Sequence, residues 1–266
     1  MESLLKLLKE YQSLALSSIV DYDKFNEYAL THHSTRLEGS TLTSVEAQLL
    51  LDEGKTPKGK PLQHSLMVKD HYDALQMVLK AARQPHPAIT PAFIQQINAA
   101  VLRHTGATYH TLLGTVDSSL GQFRKSNVRA GNRYFSNYDK VPAQTRQLCE
   151  KLNPAMDAAQ TTGQQLLLSF DAQFDLVSIH PFYDGNGRTA RLLMNFLQAR
   201  FQLPLGIVFA EDKADYIEAL EQSRTQESLQ PFRTFMIEQY TKHLQQDIQR
   251  YRDSQQPPQG RYSFIF

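Results

Sequence analysis

Twelve consecutive residues hold the chain's densest set of reactive groups: His180-Pro181-Phe182-Tyr183-Asp184-Gly185-Asn186-Gly187-Arg188-Thr189-Ala190-Arg191. Histidine titrates near neutrality, so His180 is a candidate general base. Asp184 offers a hard carboxylate for a divalent cation. The turn Gly185-Asn186-Gly187 lets backbone approach a ligand closely. The forks of Arg188 and Arg191 fit phosphate oxygens. Such a set suits a nucleoside triphosphate. Each residue also has a simpler reading: a satisfied core histidine, a polar turn, two arginines on a solvated helix face. Turn chemistry, however, requires neither a base before the loop nor two arginines after it.

The flanking sequence positions these groups. Residues 164–179 are apolar around most of a helical circumference, through Leu166, Leu167, Leu168, Phe170, Phe174, Leu176, Val177 and Ile179, which predicts a buried helix. Pro181 disfavours the α region at His180, so that helix should end near Ile179 with His180 at its mouth. A second helix is expected over 188–201, through Leu192, Leu193, Phe196, Leu197 and Phe201, with Asn186 as its N-cap. The free N–H groups and dipole at its start make an anion site. Arg188 and Arg191, three apart, project from one side of its first turn.

The loop resembles the Fic family signature, His-Pro-Phe-x-Asp/Glu-Gly-Asn-Gly-Arg-x-x-Arg, with every specified position matched. The resemblance implies a mainly α fold, a Fic-type helical bundle with a small β-hairpin flap. It also implies transfer of AMP from ATP to a Ser, Thr or Tyr hydroxyl of a target protein. His180 would then be the base, and Asp184 would hold Mg²⁺ bridging the α- and β-phosphates. Gly185, Asn186 and Gly187 would form the cradle, Arg188 would contact the phosphates and Arg191 would reach the γ-phosphate. Phe182 would anchor the loop in the core. One family branch replaces the Gly-Asn-Gly turn and acts as a kinase with ATP reversed; the turn kept here favours AMP transfer. Transfer of UMP or phosphocholine stays open. So does a non-catalytic regulator that binds nucleotide or partner proteins on the same fold.

Three further stretches match family features. Ser34-Thr35-Arg36-Leu37-Glu38-Gly39 resembles the inhibitory pattern Ser/Thr-x-x-x-Glu-Gly/Asn, marked here by Ser34, Glu38 and Gly39. By that resemblance Glu38 would pair with Arg191 in cis and take the γ-phosphate position. The simpler reading is a helix C-terminus with Gly39 as its left-handed cap and Glu38 exposed. In some relatives the same glutamate supports removal of AMP, which the motif permits and does not require. The stretch Gly121-Gln122-Phe123-Arg124 through Val128-Arg129 resembles the approach to the flap. Val128, Tyr134 and Phe135 are the flap candidates, with Gly131-Asn132 as its turn. Tyr216 is the candidate for lining the adenine pocket, with core packing as the alternative. Some relatives carry an asparagine where this chain has Arg224.

Composition bounds the rest. The chain has 266 residues, 41% of them hydrophobic and 21% charged, an ordinary globular balance with ample core. A formal net charge of +1 gives no global field favouring nucleic acid or a membrane surface, and neither is expected as a partner. The single cysteine, Cys149, excludes an intrachain disulfide and suits a reducing compartment, so a cytoplasmic location is expected. Zinc-type spacing of histidine and cysteine is lacking. Helical patterns cover about 62–82, 91–104, 142–158, 164–179, 188–201, 212–223 and 230–250. Thr43 and Glu46 form a capping box, and Thr90-Pro91 opens another helix. The expected organisation is an N-terminal helical region over 1–60 carrying the inhibitory motif, a catalytic core over 61–250 and a tail over 251–266. The expected partner is a hydroxyl-bearing target protein. Self-modification and homo-oligomerisation stay open.

Overall fold

The computed structural model describes residues 1–14, 22–130 and 133–255. They form helices α1 (Glu2–Ser13), α2 (Tyr22–Leu37), α3 (Ser44–Glu53), α4 (Leu62–Ala82) and α5 (Pro91–Val101), then α6 (Val141–Ala158) and α7 (Thr162–Ile179). The remaining helices are α8 (Asn186–Arg200), α9 (Lys213–Thr225) and α10 (Gln230–Gln255). Two hairpins sit between α5 and α6: β1 (Thr108–Thr111) with β2 (Gly114–Asp117), and β3 (Arg129–Ala130) with β4 (Arg133–Tyr134). The mainly α bundle follows the expectation, with one hairpin more than anticipated. The β1–β2 hairpin turns at Leu112-Leu113, without the Gly or Asn that usually signals a two-residue turn.

Helices α7 and α8 are the centre of the bundle. They pack along each other, with α4 and α5 against α8 and with α6 and α10 against α7. Helix α8 is buried along most of its length, so its polar residues must find partners inside. Gln198 accepts from the Gly206 N–H at 2.7 Å and donates to Ser169 Oγ at 3.2 Å, which ties the chain after α8 to α7. Asn195 donates to the Gly206 carbonyl at 3.1 Å. The main apolar cluster joins Leu4, Leu8, Leu30 and Leu37 to Phe170, Phe182, Phe196 and Phe232. The N-terminal helices therefore share a core with the two helices that hold the loop.

Local signals set the helix ends. The Thr43–Glu46 capping box forms at α3, and Thr90 caps α5 with Pro91 in its first turn. Thr161 and Gln164 form a second box at α7. The expected helix over 91–104 stops at Val101, and the one over 230–250 runs on to Gln255. The anticipated turn at Gly131-Asn132 and the tail aromatics Tyr262, Phe264, Ile265 and Phe266 lie outside the described residues. Among the described residues no helix is long and apolar enough to cross a membrane.

Because α7 carries His180 at its far end, its cap contributes to the platform under the site. Thr161→Ala removes an N-cap side chain and should lower the unfolding free energy by about 1 kcal/mol in urea titration. An unchanged midpoint with an unchanged slope would refute that role.

Candidate active site

The loop between α7 and α8 is built by backbone geometry first. Helix α7 ends at Ile179, and His180 is its cap in the left-handed region, at φ 53° and ψ 59°. Arg124 holds that turn from outside. Its Nε donates to the His180 carbonyl at 2.9 Å, its backbone N–H donates to the Pro181 carbonyl at 3.0 Å, and its Nη1 reaches the Ser126 carbonyl at 3.0 Å. The side chain is 2% exposed. Sequence reasoning named Arg124 only as part of a stretch; its role is one of carbonyl contacts, which residue type alone does not show.

The N-cap of α8 is Gly185, at φ 76°, and not Asn186. Asn186 is buried and staples the loop shut instead. Its Nδ2 donates to the Phe182 carbonyl at 2.9 Å, and its Oδ1 accepts from the Phe182 N–H at 3.0 Å. An amide side chain carries its donor and acceptor on two separate atoms, so it can span both backbone groups of Phe182. Phe182 is buried in the core, as the anchor reading required. At Gly185 a Cβ would fall 2.7 Å from Asn98 Nδ2, the atom that donates to the Asp184 carbonyl and to Thr189 Oγ1. At Gly187 a Cβ would fall 2.5 Å from Glu38 Oε1. The first glycine is needed for its positive φ and the second for close approach.

Both arginines are buried, so they are not a solvated face: Arg188 is 1% exposed and Arg191 3%. Arg188 Nη2 lies 3.3 Å from Asp184 Oδ1, and its Nη1 reaches the Val101 carbonyl at 3.5 Å. Asp184 Oδ1 also accepts from the Gly185 N–H, and the side chain stays 52% exposed. An open carboxylate beside a helix N-terminus fits a hard cation that takes its other ligands from phosphate and water. Among the described residues no cluster of three or more His, Cys, Asp or Glu side chains could hold a metal alone.

Arg191 is committed to α2. Its Nε donates to Ser34 Oγ at 2.9 Å, and its Nη2 donates to the Ser34 carbonyl at 2.9 Å and to Glu38 Oε1 at 2.7 Å. Glu38 follows the last turn of α2, and Gly39 at φ 100° closes that turn. The helix-end reading and the pairing reading therefore hold together. Lys213 Nζ donates to the Leu37 carbonyl at 2.6 Å and fixes the same turn from α9. Enclosure raises the Glu38 pKa, and Arg191, Arg188 and Lys213 outweigh it, leaving the carboxyl below its ordinary value.

Burial pushes the His180 ring down to about 4, helped by Arg124 and Arg133. The Val177 carbonyl and Glu38 pull the other way, the carbonyl without a well-angled hydrogen bond to Nδ1, which is buried and unpartnered. On the flap, Val128 is half-buried and its carbonyl accepts from the Phe135 N–H at 3.3 Å. Tyr134 is 74% exposed, whereas Phe135 turns inward and stacks on His180. Tyr216 is 4% exposed, packs against Phe232 and Phe235, and accepts from Gln173 Nε2 at 3.0 Å. Burial raises its pKa and the nearby Arg191 charge pulls it back, so the ring sits in core packing beside Arg191, the alternative to lining an adenine pocket. Arg224 lies over the Phe174 ring at 5.5 Å and donates to Ser178 Oγ at 3.3 Å.

A left-handed turn at a histidine, a glycine-flanked start of a buried helix and two enclosed arginines mark out the site of this helical fold. Residues 88–198 match the family model described as Fic/DOC family, and this segment of the chain is a Fic/DOC domain. The chain is similar to Protein adenylyltransferase Fic of Nematostella vectensis, 31% identical over 209 residues, 77% of this chain and 45% of that one. It is also similar to Protein adenylyltransferase fic-1 of Caenorhabditis elegans, 27% identical over 226 residues, 84% of this chain and 41% of the relative. The chain thus spans less than half the length of these curated relatives. In fold it is similar to a Fic domain containing signaling protein from Bacteroides thetaiotaomicron, with a TM-score of 0.79 and 23% identity, covering 94% of this chain and 97% of that one.

The buried ring sets a pH window. The folded pKa of His180, about 4, lies below its ordinary 6.5, so the unfolded chain binds more protons between those values. The native state should therefore lose stability as pH falls from 6.5 to about 4. NMR titration of the ring should show it neutral until about pH 4; a midpoint near 6.5 would overturn this reading.

Proposed function

We propose that the chain is an autoinhibited protein adenylyltransferase that moves AMP from ATP to a Ser, Thr or Tyr hydroxyl of a target protein. The observation that carries this is the Arg191–Glu38 contact at 2.7 Å, made beside an intact base-and-cradle loop. A carboxylate on that guanidinium holds the place a terminal phosphate would take. The names of the relatives, protein adenylyltransferases, support the same reading.

In this mechanism the target hydroxyl attacks the α-phosphorus. Its proton passes to His180 Nε2, since Nδ1 is sealed in the protein. The bond from the α-phosphorus to the bridging oxygen breaks, and pyrophosphate leaves. Burial keeps His180 neutral, so its Nε2 lone pair is free to accept the proton, and lowers its basicity; the negative charge of bound phosphates would raise that basicity again. The N–H groups of Asn186 and Gly187 and the start of α8 would face the phosphates. Arg191 would take the terminal phosphate once Glu38 withdraws. Asp184 would hold Mg²⁺, which supplies positive charge against the α- and β-phosphates. Arg188, locked onto Asp184, would orient that carboxylate and add charge to the cradle. Tyr216 would form the floor under Arg191. Val128, Tyr134 and Phe135 would present the flap to a target strand.

Residues 1–60 would form the inhibitory helical region and 61–250 the catalytic core. The free, buried Cys149 supports a reducing compartment, the cytoplasm by this reading.

Glu38→Gly with Mg²⁺ and α-labelled ATP should raise label on the protein itself or on lysate targets about tenfold or more, the factor that 1.4 kcal/mol represents. Adding His180→Ala should abolish that label while ATP binding persists. Equal labelling by parent and Glu38→Gly would refute the inhibition. Label that survives His180→Ala would refute the base. If Glu38→Gly binds ATP but transfers nothing, the chain is a nucleotide-binding regulator.

A further inference from the structure

Most of the site is fixed by hydrogen bonds, but the imidazole that would act as base is not. Its backbone is clamped on both sides: the His180 N–H donates to the Leu176 carbonyl at 3.1 Å, and its carbonyl accepts from Arg124. The ring is held less firmly: Nδ1 is buried, and its one polar neighbour, the Val177 carbonyl, lies outside good hydrogen-bond geometry. In histidine bases that rely on a carboxylate, that nitrogen's hydrogen bond selects tautomer and orientation. The carboxylate that acts on this ring is Glu38, and its Oε1 is engaged by Arg191.

One side chain does meet the ring. Phe135 stacks on it with centroids 3.8 Å apart and planes 17° from parallel. The Arg133 guanidinium lies over the same Phe135 ring at 4.5 Å. The residues come from the outgoing strand and the residue just after it, where Tyr134 points to solvent and its two neighbours point inward, as strand alternation requires. The Phe135 N–H, bonded to the Val128 carbonyl, fixes the backbone that delivers the ring. Ser136 continues the clamp: its carbonyl accepts from Arg124 Nη2, the same guanidinium that holds the His180 carbonyl. Arg124 thus ties together the two segments whose rings stack.

We propose that Phe135 is a positioning residue for His180: its stacked ring, backed by Arg133, holds the imidazole in one orientation and keeps water from its face, in place of a carboxylate tether. The inference rests on His180 being the base and deepens that reading. It gives the flap a second task besides meeting a target. A flap that shifts would release the base, so target docking and base alignment become one event. The charged groups that act on the ring are Arg124, Arg133 and Glu38, and none of them supplies a directional contact to Nδ1.

The test has a readout that does not depend on catalysis. Nitrogen-15 NMR of the His180 ring should show one tautomer titrating at about 4 in the parent. Phe135→Leu, at a half-buried surface position, should leave the fold intact, let water reach the ring face and move the midpoint up towards 6.5. Phe135→Tyr should keep the parental behaviour. In the Glu38→Gly background, Phe135→Leu should lower kcat for self-labelling about tenfold, with KM for ATP unchanged, and Phe135→Tyr should restore it; aromatic pairing supports a factor of that order. An unchanged midpoint in Phe135→Leu would overturn the proposal. If Glu38→Gly protein transfers no label at all, the enzyme reading fails, and the NMR comparison still decides the stack.

Discussion

A buried guanidinium must be paired, and in this molecule Arg191 is that guanidinium. It projects from the second turn of the most enclosed helix, where an uncompensated charge would be costly. Its partners, Ser34 and Glu38, come from a helix far away in sequence. That helix, α2, packs against α3, α4 and α8 and shares one apolar cluster with α4 and α8. The geometry of the N-terminal region is therefore tied to the charge at the cradle. Any anion that competes for Arg191 also competes with the docking of α2's last turn.

The second constraint is the turn at His180. A non-glycine residue in the left-handed region is costly unless its surroundings impose it. Here Pro181 excludes the right-handed helical region, and the helix cap and Arg124 hold the left-handed one. The reward is direction: the side chain leaves the helix axis towards the cradle instead of continuing along α7. Arg124 spends its donors on carbonyls of both the loop and the flap approach, so the two cannot drift apart independently.

Much of this was legible in the chain. The apolar run before His180 foretold a buried helix, Pro181 foretold its end, and the Thr43–Glu46 and Thr90-Pro91 signals fell where helices begin. The α8 cap was misread because Asn186 is a good N-cap by type. Only the fold shows that its amide is already used by Phe182, and that Gly185 can adopt the positive φ a cap needs here. The β1–β2 hairpin was missed because Leu112-Leu113 carries no turn chemistry. Arg124, Asn98 and Phe135 were undervalued for a common reason. Their partners lie tens of residues away, and no local pattern encodes a distant carbonyl or ring.

The amino-acid sequence by itself determined the inventory: one candidate base, one carboxylate, a turn that admits close approach, and two arginines in fixed helical phase. These follow from covalent order and local propensity, which do not depend on what packs where. Tertiary structure alone decided which charges are paired. It buried Arg188 on Asp184 and Arg191 on Glu38, left the Asp184 side chain open, and laid Phe135 on the ring of His180. Those outcomes depend on desolvation and distance between segments far apart in the chain, quantities that exist only once the helices have packed.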